Sequence, residues 1–195
     1  MFCDFHTHCS DVPAGQAALI SSAAPPGSAA EGAYYSLELH PWTLPDSFHG
    51  LPEAWADHLN RVNAIGEIGL DKCRGPALSV QMAYLRAALQ EAQSRELPVV
   101  IHCVRAFPEL QSVLREFRID RILFHGFHGS PEFLKQVRRA GFFTSSSRRL
   151  PEDLLQCGLE TDDGDTALTA LYRQFAADAE KENRLEENFR RFLGV

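Results

Sequence analysis

The sequence predicts an α/β protein, a (β/α)8 TIM barrel in trimmed form, on three observations. Short strands alternate with helices, the strands are nearly continuous apolar runs, and eight strand candidates fit within 195 residues. Continuous apolar strands are the mark of a parallel sheet buried on both faces. Strand–helix alternation with right-handed crossovers closes most economically as a barrel. The runner-up is a doubly wound open sheet, and no G-x-G-x-x-G turn is present. About 250 residues is usual for the barrel, so something must be cut short.

The first strand lies in Phe2–Ser10 (FCDFHTHCS), where an apolar run meets His6 and His8. Alternate side chains of a strand point the same way, so the two imidazoles can face one space. Ala17–Ser22 reads as a short buried strand, Ala24–Gly32 as a loop of small residues, and Tyr34–Leu39 as a third strand stopped by His40-Pro41. Proline ends strand pairing and keeps its predecessor extended, which places His40 at a strand terminus. No helix is readable after strands one and two. That side of the barrel is therefore expected to be open or covered by loops.

Residues 52–60 form a short helix with Trp55 and Leu59 inward, and Val62–Leu70 (VNAIGEIGL) is a fourth strand with Glu67 between glycines. Glycine within a strand marks a close approach to the backbone. From Pro76 to Arg95, Leu78, Met82, Leu85, Leu89 and Ala92 recur at helical spacing as one apolar stripe. Leu97–Ile101 is a fifth strand ending in His102, followed by a helix with Phe107, Leu110, Leu114 and Phe117 inward. Arg121–Phe124 is a sixth strand ending in His125, and Ser130-Pro131 caps and opens the next helix. Gly141–Ser145 is the seventh strand and Leu154–Glu160 a weaker eighth, leading to Asp162. The chain is then helical from Asp165, and a last helix capped by Asn183 buries Leu185, Phe189 and Phe192.

The chain suits one domain over residues 1–195, with 45% hydrophobic and 23% charged residues. Its net charge of −7 argues against a broad basic surface tracking nucleic acid, without excluding a small anionic substrate. Five cysteines with no C-x-x-C pair fit neither a disulfide framework nor a zinc ribbon. No apolar run approaches the about 20 residues that span a bilayer, and no secretory pattern opens the chain. A cytoplasmic protein is expected; nothing points to a protein partner.

Six ligand-type residues stand at strand ends: His6, His8, Glu67, His102, His125 and Asp162. Each has a plainer reading alone. His125 could be a hydrogen-bonded structural histidine, Glu67 could answer Lys72 or Arg74, and Asp162 could cap a helix. All strand carboxyl ends of a barrel open on one face, however, and there the six converge. Four imidazoles and two carboxylates exceed what one ion needs and can hold two, with one carboxylate between them.

The segments DFHTH (4–8), HP (40–41), GEIGLD (66–71), PVVIHCVRA (98–106), FHGFHG (124–129) and LETDD (159–163) resemble the TatD-type deoxyribonucleases, metal-dependent hydrolases of the amidohydrolase superfamily. The resemblance implies a TIM barrel with a mononuclear or binuclear centre. His6, His8 and Asp162 would hold one ion, His102 and His125 the other, with Glu67 between. It implies hydrolysis of DNA phosphodiesters from a 3′ end, with one or two divalent ions (Mg/Mn or Zn/Ni). The chain departs from the family pattern at Gly126, where cysteine is common, and in the added His128. These departures alter the rim and bear on substrate rather than chemistry.

The expected mechanism is in-line attack of a metal-activated water on phosphorus, with Asp162 accepting the water's proton. Glu67 serves between the ions. His40 and Arg105 are expected to bind phosphate, Arg105 through its planar fork; Lys72, His128, Arg148 and Arg149 are expected on the same rim. The alternative keeps the centre but hydrolyses another small phosphoester, an amide or an aminoacyl ester. A non-enzymatic scaffold is disfavoured because all six ligand-type residues are present.

Overall fold

In the computed structural model, which describes residues 1–195, eight parallel strands close into a barrel in chain order. They are β1 (Phe2–Thr7), β2 (Gln16–Ser22), β3 (Ala33–Leu37), β4 (Ala64–Asp71), β5 (Val99–Val104), β6 (Ile122–Phe124), β7 (Phe143–Ser146) and β8 (Cys157–Leu159). β1 pairs with β2 on one side and β8 on the other, so no edge is left. The helices are α1 (Trp55–His58), α2 (Leu78–Ser94), α3 (Phe107–Leu114), α4 (Pro131–Arg139), α5 (Leu168–Phe175) and α6 (Ala179–Leu193). None is long and apolar enough to cross a membrane.

The thin first quarter is loop-covered rather than open. β2 and β3 pair in unbroken register from Ala18↔Ala33 to Ser22↔Leu37 with no helix between them. β7 and β8 are likewise joined without a helix, an omission the sequence reading does not anticipate. Helix limits shift for identifiable reasons. The cap of α6 lies five residues before the expected one because the Asp178 carboxylate, not Asn183, accepts the Lys181 N–H at 2.9 Å. The Ser130 cap stands as read, accepting the Phe133 N–H at 3.2 Å.

Alternation along the strands separates an outer layer from a lumen, and a third cluster joins Leu159 of β8 to Leu171 and Tyr172 of α5. Ile65, Leu70, Val99, Ile101 and Ile122 pack outward with Leu85 and Leu89 of α2 and Leu110 of α3. Their sequence neighbours Ala64, Val100 and Leu123 gather with Cys3, Phe5, Leu19 and Phe143. Strands from opposite sides of a barrel meet only in its lumen, so this second cluster is the lumen. Phe189, Phe192 and Leu193 of α6 join it at the amino ends of the strands, closing the floor. The opposite, carboxyl-end mouth is left to polar side chains.

β4 and β5 approach so closely that side chains are excluded between them. A Cβ on Gly69, which has φ +154°, would collide with the His102 carbonyl oxygen, and one on Gly66 would crowd Val100. Gly69→Ala is expected to cost about 1–3 kcal/mol of stability, read as a lower urea midpoint with an unchanged slope.

Candidate metal centre

The carboxyl ends of the strands surround a cavity of about 300 Å³ lined by His8, Glu38, His40, Trp42, Thr43, Glu67, Arg74, His102, His125, Asp162 and Asp163. At its base lies Glu67, 2% exposed. Its two oxygens divide the surrounding imidazoles. Oε2 faces His6 Nε2 at 3.2 Å and His8 Nε2 at 3.4 Å. Oε1 faces His40 Nε2 at 3.0 Å, and His102 Nδ1 and His125 Nε2 at 2.6 Å each. Burial acts to raise the Glu67 pKa, but the imidazoles of His102, His125, His40 and His6 around it outweigh it and hold the carboxyl well below the usual range. The carboxylate is thus charged and aimed at both halves of the cluster.

The outer nitrogens of the rings decide which can act as ligands. His102 stands between two carboxylates, its Nε2 3.3 Å from Asp71 Oδ2 and its Nδ1 2.6 Å from Glu67 Oε1. His8 Nδ1 and His125 Nδ1 face Glu38 and Glu160 at 3.6 and 3.9 Å. His40 is wired the other way. Its Nδ1 accepts the Trp42 N–H at 3.2 Å, which leaves Nε2 as the donor, 3.0 Å from Glu67 Oε1.

His6 supplies the clearest test of fit to a cation. It is fully buried, and neither ring nitrogen makes an aligned hydrogen bond, although Nε2 is within ion-pair reach of Glu67 and, at 3.6 Å, of Asp162 Oδ1. Burial, with His125 next, lowers its pKa to about 4, leaving a neutral ring with a free lone pair. An orphaned buried imidazole is costly unless an ion completes it. Ligand-type atoms of His6, His8 and Glu67, and of His6, His125 and Asp162, each lie within 4.8 Å of one another. The residues fit divalent ions.

Buried acids anchor the strands that carry these rings. The Asp4 carboxylate accepts the N–H groups of His6 and Thr161 and the Thr161 hydroxyl, at 3.3, 3.1 and 2.7 Å, tying β1 to β8. Asp162 N donates to His6 O at 3.0 Å, and His8 N to Asp162 O at 3.3 Å. Glu160 accepts the Gly126 N–H and the Ser145 hydroxyl at 2.7 Å each, bracing the segment after His125. The Ser21 hydroxyl accepts the Glu67 N–H and donates to Glu38 Oε2, both at 3.1 Å.

The six expected ligand positions and His40 are thus brought together. The other expected substrate contacts are not. Lys72 is held by Glu109 at 2.6 Å. Arg105, His128, Arg148 and Arg149 are exposed and do not line the cavity; the Arg149 guanidinium donates to Gly129 O. The cation on the rim is Arg74. Sequence reasoning also missed Glu38, Asp71 and Glu160. A signal was available, since Glu38/His40 and Glu160/Asp162 repeat the i, i+2 spacing of His6/His8 at a strand end.

Comparison with known proteins agrees with this arrangement. Residues 4–152 match the family described as TatD related DNase. The human protein named Deoxyribonuclease TATDN3 is 30% identical over 107 residues, 52% of this chain but 38% of its own length. A solved TatD homologue from Escherichia coli k12, YJJV, superposes with a TM-score of 0.77 at 22% identity, over 100% of this chain and 98% of that one. A TatD family hydrolase from Entamoeba histolytica gives 0.61 at 16% identity, over 83% and 73%. Asp162 lies beyond the stretch matched to the family, and its place comes from β8 and its bonds to β1. On the match across most of its length, the chain belongs to the TatD related DNase family.

Proposed function

We propose that this chain is a metal-dependent phosphodiesterase that hydrolyses DNA from a 3′ end. The observation that carries the reading is the division of the imidazoles between the two oxygens of Glu67. His6, His8 and Asp162 would hold one divalent ion and His102 and His125 a second, with Glu67 shared. Bound ions of this kind activate water near neutral pH and polarise a phosphoryl oxygen. An imidazole-rich set with carboxylates suits zinc, nickel or manganese, and magnesium through its oxygens.

The chain's own groups supply the rest. Asp162 presents Oδ1 toward His6 and His8, and its side chain is 40% exposed at the cavity, so its second oxygen can take the proton of the attacking water. His40 Nε2–H can donate to a phosphate oxygen. A cavity of about 300 Å³ in a protein of net charge −7 suits a strand end rather than the flank of a duplex. One domain spanning 1–195 carries this activity, and five free cysteines fit a reducing, cytoplasmic setting.

The test is metal removal and return. Chelated protein is expected to leave a 3′-labelled single strand intact, and added manganese or magnesium to restore stepwise shortening. Hydrolysis that survives chelation, or none with any divalent ion, rules the reading out. A linked expectation concerns protons. Burial works to lower the His125 pKa, but the Glu67 hydrogen bond and charge, then Glu160 and Asp162, raise it to about 9. At about pH 7 an arriving ion must displace that proton. Affinity should therefore rise with pH up to about 9, and calorimetric heats should depend on the buffer; pH-independent affinity would count against it.

A further inference from the structure

A cation without an acidic partner stands at the rim of the histidine cavity. Arg74, on the loop after β4, lays its guanidinium 4.0 Å from the centroid of the Trp42 indole, and both side chains line the cavity. The Arg74 main-chain N–H reaches Asp71 Oδ1 at 3.2 Å, but the guanidinium makes no hydrogen bond or ion pair with the protein. It is the single guanidinium or ammonium group on a wall that also carries Glu38, Asp162 and Asp163.

The loop beneath it is built to hold still. Gln81, 1% exposed, shares the two Nε2 protons among the carbonyls of Asp71, Arg74 and Pro76 at 2.9, 3.2 and 2.8 Å, and accepts the Asp71 N–H at 2.7 Å. Asp71 is the joint. Its Oδ2 accepts Trp42 Nε1–H at 2.6 Å and faces His102 Nε2, while Oδ1 accepts the N–H groups of Cys73 and Arg74. One carboxylate thereby sets the imidazole, the indole and the backbone that carries the guanidinium. A planar cation laid on an aromatic face keeps its N–H edge for a ligand, and a fixed support reduces the entropy lost on binding.

We propose that Arg74 is the anion clamp of this cavity, binding the phosphate next to the one hydrolysed and so favouring substrates with phosphates in series over an isolated diester. The assignment rests on the phosphodiesterase reading. The indole centroid is 4.6 Å from that of His40 and 5.6 Å from that of His102, so the guanidinium sits one aromatic ring outward from the reacting position. Its fork matches a phosphate through two parallel hydrogen bonds. Asp71 and Gln81 are positioning residues for it.

The test compares wild type, Arg74→Gln and Arg74→Lys, each loaded with manganese, on bis(p-nitrophenyl) phosphate and on a 3′-labelled single-stranded oligonucleotide. Arg74→Gln is expected to raise KM for the oligonucleotide about 10- to 100-fold with kcat held. Its kcat/KM on the isolated diester should stay within about twofold of wild type. Arg74→Lys keeps the charge, loses the fork and should recover only part of the binding. Metal content and melting midpoint should not move. If Arg74→Gln fails to fold, Arg74→Lys carries the test through the same selective rise in KM. An unchanged oligonucleotide KM, or an equal loss on both substrates, overturns the clamp. Wild-type protein that hydrolyses neither substrate overturns the phosphodiesterase reading, and the clamp with it.

Discussion

Asp162→Asn is expected to fold like the parent and to lose about 10²–10⁴-fold in kcat, the range for removal of a positioned general base. The fold should survive because the ties that place this residue run through its backbone, to His6 O and from His8 N. Its φ of +53° is also a conformation asparagine accepts readily. The amide can still lie beside His6 and His8, but it cannot take a proton from water. Turnover of bis(p-nitrophenyl) phosphate, read with circular dichroism and metal content, checks the expectation. Undiminished hydrolysis by the variant would remove Asp162 from the mechanism.

Phe192→Ala is expected to produce the largest loss of stability, about 3–5 kcal/mol, the range for emptying an aromatic site in a packed core. Phe192 is fully buried, its ring 5.6 Å from that of Phe143 and its carbonyl receiving Arg121 Nη1 at 3.3 Å. It shares the lumen floor with Phe189, whose ring meets Phe5 and Tyr34 edge-on at 5.3 and 5.6 Å. A hole there cannot collapse, because the strands around it are fixed by one another in a closed sheet. Urea unfolding gives the number directly. A loss under about 1 kcal/mol would mean that α6 does not fill the lumen.

The convergence was legible because a β-barrel turns sequence position into spatial proximity. An apolar run that stops at a histidine, as at Phe124-His125, says that the histidine stands at a mouth; at Ile101-His102 the apolar run also stops, but β5 itself continues to Val104, so the strand limit read from the sequence falls short. The floor was not legible. The spacing of Leu185, Phe189 and Phe192 marks a buried helix face, but an outer layer and a lumen ask for the same residues, and only closure of the sheet decides. The acids behind the rings were harder to read for a related reason. Apart from the i, i+2 spacing of Glu160, Asp71 and Glu160 look like ordinary charges until the neighbouring strands bury them; Glu160 is 1% exposed, and burial pushes its pKa up to about 7. The exchange of Lys72 for Arg74 turns on one amide. Gln81 pins the loop so that Lys72 leaves toward Glu109 while Arg74 returns over Trp42, and no local pattern in DKCRG announces that turn.

The most direct measurement is an anomalous difference map from crystals of the full chain equilibrated with manganese. Density is expected on both sides of the Glu67 carboxylate, against His6 and His8 on one side and His102 and His125 on the other. Density confined to other residues, or a Glu67 with no ion on either side at saturating manganese, would contradict the proposal that these imidazoles exist to bind metal.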